Sequence, residues 1–209
     1  MAAMMEKLDF RKLLKPLLNP PTGEFVSVEV PQMQFVKVDG ASDPNTAPAY
    51  RSAVEWLYGV SYAMKFAAKA ALGKDYVVPP LEGLWWADDP RSFVTREKDQ
   101  WRWTMMIMVP DFVTRDIFEN AVAKTGGKRG QPPQSLRLEP HGEGLSLQTL
   151  HVGSYDDEGP VLARLHGEVM PNKGLAFNGP HHEIYLSDPR KTDAAKLKTI
   201  LRQPVKVRT

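Results

Sequence analysis

The most regular hydrophobic pattern in the chain lies between Tyr50 and Leu72, where apolar positions recur every three or four residues. This spacing is typical of an amphipathic helix. Gly73 follows directly and predicts the end of the helix, because glycine readily adopts the left-handed conformation that terminates helices. We therefore predict one long helix in the first half of the chain.

Short apolar runs bounded by proline predict strands. Phe25 to Gly40 reads as two extended segments joined at Pro31, and Trp101 to Val109 reads as an interior strand stopped by Pro110. A further strand is predicted over His182 to Leu186.

The second half of the chain carries similar signals. Residues 111–124 and 159–170 have helical periodicity, and Gly126-Gly127 is expected to close the first of these helices. Residues 136–138 and 145–152 predict a β-hairpin around an intervening glycine-rich turn.

The order of these elements repeats along the chain. Residues 34–40 and 148–153 each precede a helix, and residues 103–110 resemble residues 182–189 in ending at a proline. The predicted fold is α+β, with two pseudo-symmetric strand-helix-strand-strand half-repeats over about 24–110 and 111–209 and an antiparallel sheet. A leader over residues 1–23 precedes this domain, and the interface between the half-repeats is the expected ligand cavity.

Composition narrows the class of protein. The 209 residues are 42% hydrophobic and 25% charged with a net charge of +2, so no basic face predicts nucleic-acid binding. There is no cysteine, no signal peptide pattern and no apolar run long enough to span a bilayer. We expect a soluble cytoplasmic protein that binds neither nucleic acid nor membrane.

Candidate chemistry concentrates on the strand predicted over His182 to Leu186. Alternation places Glu183 and Tyr185 on one face and Ile184 on the other. On a pocket wall, Glu183 would serve as a general base that activates water, and Tyr185 or Tyr155 would donate a hydrogen bond to developing negative charge. On an edge strand, Glu183 would instead be an ordinary surface carboxylate.

Aromatic residues offer candidates for ligand binding. Trp85, Trp101 and Trp103 fall in segments that could be adjacent strands, and flat or cationic ligands bind well against indole rings. Tyr62 would lie at the pocket rim, and Met106 belongs to a methionine cluster suited to adaptable surfaces. Core filling is the alternative role for each of them.

No metal or cofactor is expected. His181 and His182 are adjacent, so they point to opposite faces of a strand and are poorly placed to chelate one ion. The glycine- and lysine-rich segment 126–130 lacks the spacing of a phosphate-binding loop.

Three features together resemble the GyrI-like small-molecule-binding superfamily: the C-terminal strand from His182 to Pro189, the strand-glycine-tyrosine junction over residues 149–155, and the duplicated order of elements. With the upstream pair Trp85-Trp86, the run from Glu183 to Arg190 looks like the standalone members of about 200 residues. The resemblance implies a cavity between two half-repeats into which Glu183 projects. Some standalone members open the cyclopropane ring of cyclopropanoid DNA-alkylating compounds, and others bind cationic or aromatic drugs.

The expected function is therefore binding of an aromatic hydrophobic small molecule followed by hydrolysis of a strained electrophile. A cyclopropanoid genotoxin would be the substrate, and its destruction would protect the cell. A non-catalytic protein that sequesters drugs or metabolites is the alternative, and a modulator of a DNA topoisomerase is a further one. The sequence leaves the oligomeric state open.

Overall fold

The computed structural model describes residues 7–89 and 91–208, so the first six residues of the predicted leader lie outside the described part. Within it the strands are β1 Val26–Val30, β2 Met33–Ala41, β3 Leu81–Trp86, β4 Arg102–Val109, β5 Arg137–His141, β6 Gly144–Val152, β7 Leu175–Phe177, β8 His181–Tyr185 and β9 Lys198–Val207. The helices are α1 Phe10–Leu13, α2 Lys15–Leu18, α3 Pro48–Leu72, α4 Arg91–Thr95, α5 Arg115–Arg129, α6 Gly159–Arg164 and α7 Met170–Asn172. A π-helical turn over Leu165–Val169 joins α6 to α7.

The strands form one antiparallel sheet in the order β1-β6-β9-β8-β3-β4-β2-β5, and β7 pairs with β9. The centre of the sheet is the β3–β8 ladder, in which Gly83 lies opposite Glu183. The predicted α+β class with an antiparallel sheet is confirmed.

Two strand-helix-strand-strand units meet at this central ladder. The first unit is β2-α3-β3-β4 and the second is β6-α6-β8-β9. The remaining strands are exchanged, because β1 pairs with β6 of the second unit and β5 pairs with β2 of the first. The predicted half-repeats are present, and each unit also contributes a strand to the other.

The structure corrects the predicted hairpin. β5 and β6 are consecutive but do not pair with each other; they run end to end beside β2 and β1. His141 pairs with Met33 and Gly144 pairs with Val30, so the short link between β5 and β6 matches the link at Pro31-Gln32. The two links therefore lie side by side in one two-stranded ribbon, and the backbone groups that would have paired in a hairpin pair with β1 and β2 instead.

The internal alignment of the repeat also differs from the prediction. β8 corresponds to β3 rather than to β4, and the counterpart of β4 is β9, which the sequence pattern did not predict. Arg202, Gln203 and Pro204 interrupt the apolar pattern of β9. In addition, the helix predicted to end at Gly126-Gly127 continues to Arg129, and Gly130 follows it with a φ of 82°.

The two faces of the sheet are covered differently. On the helical face, α3 and α5 pack over a core that includes Val36, Met105 and Ile107. On the opposite face, Leu17 and Leu18 of α2 pack against a cluster that includes Ile184 and Ile200. The described part of the leader is thus a packed element. No helix among the described residues is long and apolar enough to cross a membrane.

A buried polar cluster ties the leader to the sheet on this second face. His182 lies between Glu143 and Glu82, with 2.9 Å from its Nδ1 to Glu143 Oε1 and 2.9 Å from its Nε2 to Glu82 Oε2. Arg202 donates to Glu143 and also to the backbone carbonyl of Leu17, at 3.2 and 2.8 Å. Burial lowers the pKa of His182, but the two carboxylates outweigh this effect and raise it to about 9.

Candidate functional site

A large cavity opens on the helical face, between α3 and α6 and above the β3–β8 ladder. Its volume is 2040 Å³, which exceeds the roughly 300–1,000 Å³ of most sites for drug-sized ligands. Trp85, Glu183 and Tyr185 lie on the sheet beneath it, because alternation turns these positions of β3 and β8 toward the helices. The site therefore has room for a polycyclic ligand.

Glu183 is held by a short chain of hydrogen bonds. The indole Nε1 of Trp85 donates to the Tyr185 hydroxyl at 2.9 Å, and this hydroxyl donates to Glu183 Oε2 at 2.8 Å. The other carboxylate oxygen, Oε1, lies 3.5 Å from Nε2 of His181. With 15% of its side chain exposed, Glu183 is fixed in position yet still reaches the cavity.

Tyr185 is hydrogen-bonded to Glu183. Burial, followed by the negative charge of Glu183, raises the pKa of the phenol well above its ordinary value, so the hydroxyl stays neutral. Its hydroxyl hydrogen is already engaged in the hydrogen bond to the Glu183 carboxylate. In this arrangement Tyr185 positions Glu183, and donation by Tyr185 to a substrate stays a prediction.

Tyr155 lies in the turn before α6 of the second half-repeat and packs against Tyr185. The two rings make an edge-to-face contact with 5.7 Å between centroids, and Tyr155 is 39% exposed. Burial and the charge of Glu183 raise the pKa of Tyr155 to about 12, which keeps it protonated at neutral pH. Tyr155 is thus placed to offer a hydrogen bond into the cavity.

An aromatic wall forms a further part of the cavity lining. Trp101 makes a T-shaped contact with Trp85 at 6.1 Å and a tilted contact with Phe93 at 5.0 Å. Tyr50, in the first turn of α3, lies 6.2 Å from the Trp85 ring. These rings provide flat apolar surface on which an aromatic ligand can stack.

Two of the predicted ligand-binding residues do not line the cavity. Trp103 is fully buried in the main core, where its ring covers Gly40 and makes an edge contact with Tyr50. Met106 is fully buried on the face of the sheet away from the cavity. Tyr62 does reach the rim, with 48% of its surface exposed.

The structure adds two cavity residues that the sequence pattern did not single out. Tyr50 lies close enough to Glu183 that the carboxylate charge, after burial, contributes to the raised pKa of the phenol. Glu158, directly before α6, is only 4% exposed and lines the cavity. Its acidic neighbours Asp156 and Asp157 make it look like part of a solvated loop.

Glu158 and Glu183 interact electrostatically within the cavity. Burial, and then the charge of Glu183, raises the pKa of Glu158 to about 10. Two neighbouring carboxyl groups out of contact with bulk water do not both ionise readily. The site therefore combines one buried neutral acid with a second carboxylate that is hydrogen-bonded to a phenol.

His166 and His181 form the polar edge of the cavity beside α6. Burial, with a smaller effect of His181, lowers the pKa of His166 to about 4, so its imidazole is neutral at physiological pH. Within residues 7–89 and 91–208, no group of three histidine or acidic side chains is arranged to hold a metal ion.

Comparison with known proteins assigns the fold and the general nature of the site. Residues 24–206 match the GyrI-like small molecule binding domain. The chain belongs to the GyrI-like family. The family is described as a small-molecule-binding domain, and the cavity above Glu183 is the candidate site for a ligand in this GyrI-like chain. Among curated proteins, none matches the sequence significantly.

Solved structures of similar length agree with this assignment. An uncharacterised conserved protein from Listeria innocua shares 37% identity, with 96% of this chain and 100% of that chain covered and a TM-score of 0.87. A protein described as a hydrolase from Listeria innocua also shares 37% identity over the same fractions, with a TM-score of 0.82.

A more distant relative shares the fold alone. The C-terminal domain of EcmrR is 13% identical, with 88% of this chain and 98% of that domain covered and a TM-score of 0.57.

Proposed function

We propose that this GyrI-like protein binds flat aromatic molecules in the cavity and hydrolyses a strained electrophile, with a cyclopropanoid compound as substrate. The observation that carries the proposal is the chain from Trp85 through Tyr185 to Glu183, which fixes a carboxylate beneath an aromatic cavity. The similarity to Listeria innocua proteins described as hydrolases supports the same class of reaction.

In the proposed step, Glu183 takes a proton from a water molecule as the water oxygen attacks a carbon of the three-membered ring. One carbon–carbon bond of the ring breaks, and its electron pair moves through the conjugated system to an oxygen of the substrate. General-base assistance of this kind contributes ~10²–10⁴-fold to rate. Trp85, Trp101 and Tyr50 would hold the ring system so that the strained carbon lies near Glu183.

The test compares the wild-type protein with Glu183→Gln in a reaction with a cyclopropanoid compound. Product is followed by mass spectrometry as the gain of one water molecule. We expect Glu183→Gln to bind the compound with similar affinity and to lose turnover. Glu119→Gln, which changes an exposed glutamate on α5, is the matched control and should retain full activity. Equal turnover in Glu183→Gln and the wild type would remove the catalytic role of Glu183.

Sequestration without chemistry is the second candidate function. The size of the cavity and its aromatic wall favour it, because such a surface can hold different flat ligands without any reaction. The same mass spectrometric assay separates the two functions: tight binding of the compound with no hydrated product would favour sequestration.

A further inference from the structure

The proposed hydrolysis leaves one requirement unassigned. When the ring bond breaks, negative charge develops on a substrate oxygen, and a proton donor at that oxygen would lower the barrier. Tyr185 is poorly suited to this task because its proton is donated to Glu183. Tyr155 also faces the cavity, but its phenol, with a pKa raised to about 12, gives up a proton less readily than a carboxylic acid does, so a protonated carboxyl group is the better donor.

Glu158 meets these conditions by position. It precedes α6 at the second half-repeat, lines the cavity and is almost completely buried. Its carboxyl group lies near Thr199 of β9, and Thr199 is paired with Tyr185 of β8. Glu158 is therefore next to the part of the sheet that carries Glu183.

One carboxyl oxygen of Glu158 is also available to interact with a ligand. Its Oε1 atom is buried and makes no hydrogen bond of good geometry within the described residues, although the Thr199 side chain is close enough to act on the pKa of Glu158. A buried polar atom without a partner is costly in a folded protein unless a ligand or water satisfies it. Because this atom belongs to a cavity-lining residue, a bound substrate would be a suitable partner.

We propose that Glu158 is the general acid of the ring-opening reaction, giving its proton to the substrate oxygen while Glu183 accepts a proton from the attacking water. This inference rests on the hydrolytic function proposed above. The new bond joins the water oxygen to the ring carbon, and the electrons of the broken carbon–carbon bond end on the oxygen that Glu158 protonates. Glu158 finishes as a carboxylate and Glu183 as a carboxylic acid, and proton exchange with solvent restores both.

The surroundings of the two residues suit these roles. Burial and the neighbouring charge keep Glu158 protonated at neutral pH, whereas Glu183 accepts a hydrogen bond from a phenol that does not ionise. Pairs of carboxyl groups whose surroundings separate their protonation states commonly divide acid and base roles in this way.

The experiment measures kcat and KM for hydration of a cyclopropanoid compound by the wild type, Glu158→Gln and Glu183→Gln between about pH 6 and pH 10, since general-acid catalysis depends on the protonated fraction. Glutamine preserves the size of the side chain but has no acidic proton. We expect kcat of Glu158→Gln to fall by ~10²–10⁴-fold with little change in KM. Asp157→Asn, at the exposed neighbour, is the control and should behave as the wild type.

The pH profile provides a second readout that a structural role would not produce. Wild-type kcat should decrease on the alkaline side as Glu158 loses its proton, and this decrease should be absent from the residual activity of Glu158→Gln. Full activity in Glu158→Gln together with an inactive Glu183→Gln would overturn the acid role and leave the hydrolytic function standing. Failure of the wild type to hydrate the compound would instead overturn both proposals.

Discussion

Gly83 of β3 lies directly opposite Glu183 of β8 at the centre of the sheet. A Cβ atom at position 83 would come within 2.8 Å of Trp85 Nε1 and 3.0 Å of the Tyr185 hydroxyl. These two atoms form the hydrogen bond that orients Tyr185 toward Glu183. The absence of a side chain at Gly83 therefore leaves space for the chain of hydrogen bonds that holds the candidate base.

We predict that Gly83→Ala loses a larger share of the turnover rate than of the free energy of unfolding. The added methyl group would separate Trp85 from Tyr185, at a cost of about 1–3 kcal/mol in the free energy of unfolding. Urea unfolding and hydration assays would measure the two effects. Gly127→Ala is a suitable control, because a Cβ atom there meets nothing within 4 Å. Equal activity in Gly83→Ala and wild type would mean that the site tolerates displacement of Tyr185.

We predict that Tyr185→Phe reduces kcat by roughly 10–100-fold, because the carboxylate of Glu183 loses a charge-assisted hydrogen bond worth about 1.5–3 kcal/mol. Steady-state kinetics would measure the loss. Tyr76→Phe is the matched comparison: Tyr76 is also buried and donates to the backbone carbonyl of Ser61 at 3.3 Å, but it belongs to the core. A similar loss of kcat in both variants would argue against a specific effect on Glu183.

We predict that Trp103 contributes to stability and not to binding. Trp103→Ala should lower the free energy of unfolding by about 3–5 kcal/mol, because it empties a fully buried position in the core. Affinity of the folded protein for a flat aromatic ligand should not change. Trp85→Ala should weaken that affinity, since Trp85 lies on the floor of the cavity. Isothermal titration calorimetry at a temperature where both variants remain folded would measure the two affinities. Weaker binding by Trp103→Ala alone would show that Trp103, and not Trp85, contributes to binding.

We predict that stability falls as pH rises from 6.5 to about 9. The pKa of His182 is raised from 6.5 to about 9 in the folded protein, so the unfolded chain releases this proton first. The contribution of the charged imidazole is complete below pH 6.5 and is lost as pH passes through about 9. The groups facing it are Glu82 and Glu143, with Arg202 and His141 beside Glu143.

Urea unfolding at a series of pH values would test this dependence. His182→Gln should be less stable than the wild type at pH 6.5, and its stability should change less between pH 6.5 and 9. An equally steep decrease in His182→Gln would show that another group is responsible.

The sequence was most informative where a strand has a strict alternation. It placed Glu183 and Tyr185 on one face of β8 because a period of two residues leaves no other arrangement. It did not predict β9, since Arg202 and Gln203 look like surface residues until the partners of Arg202 are known. Those partners are Glu143, Gln148 and the backbone of Leu17, all distant in sequence.

Dependence on partners that are distant in sequence also explains why the predictions for Trp103 and Glu158 differ from the structure. Trp85 and Trp103 pair across β3 and β4, and both belong to the helical face, so local pattern does not separate them. The difference arises from Gly40, which lies opposite Trp103 in the β2–β4 ladder and leaves room for its ring. Glu158 was missed because its burial depends on residues distant in sequence, among them Thr199 of β9, which no local pattern reports.

The exchange of β1 and β5 between the two units has a consequence for how the chain acquires its structure. The ribbon of β1 and β6 is complete only when Val26 pairs with Gln148. The ribbon of β2 and β5 likewise requires Gln34 to pair with Pro140. Contacts between such remote segments slow folding, because the intervening chain has to be closed into a loop first. Neither repeat is then a self-sufficient module, because a protein cut between them would leave each fragment with an unpaired edge. About two thirds of the polypeptide, as far as His141, must be synthesised before the first of these ribbons can close.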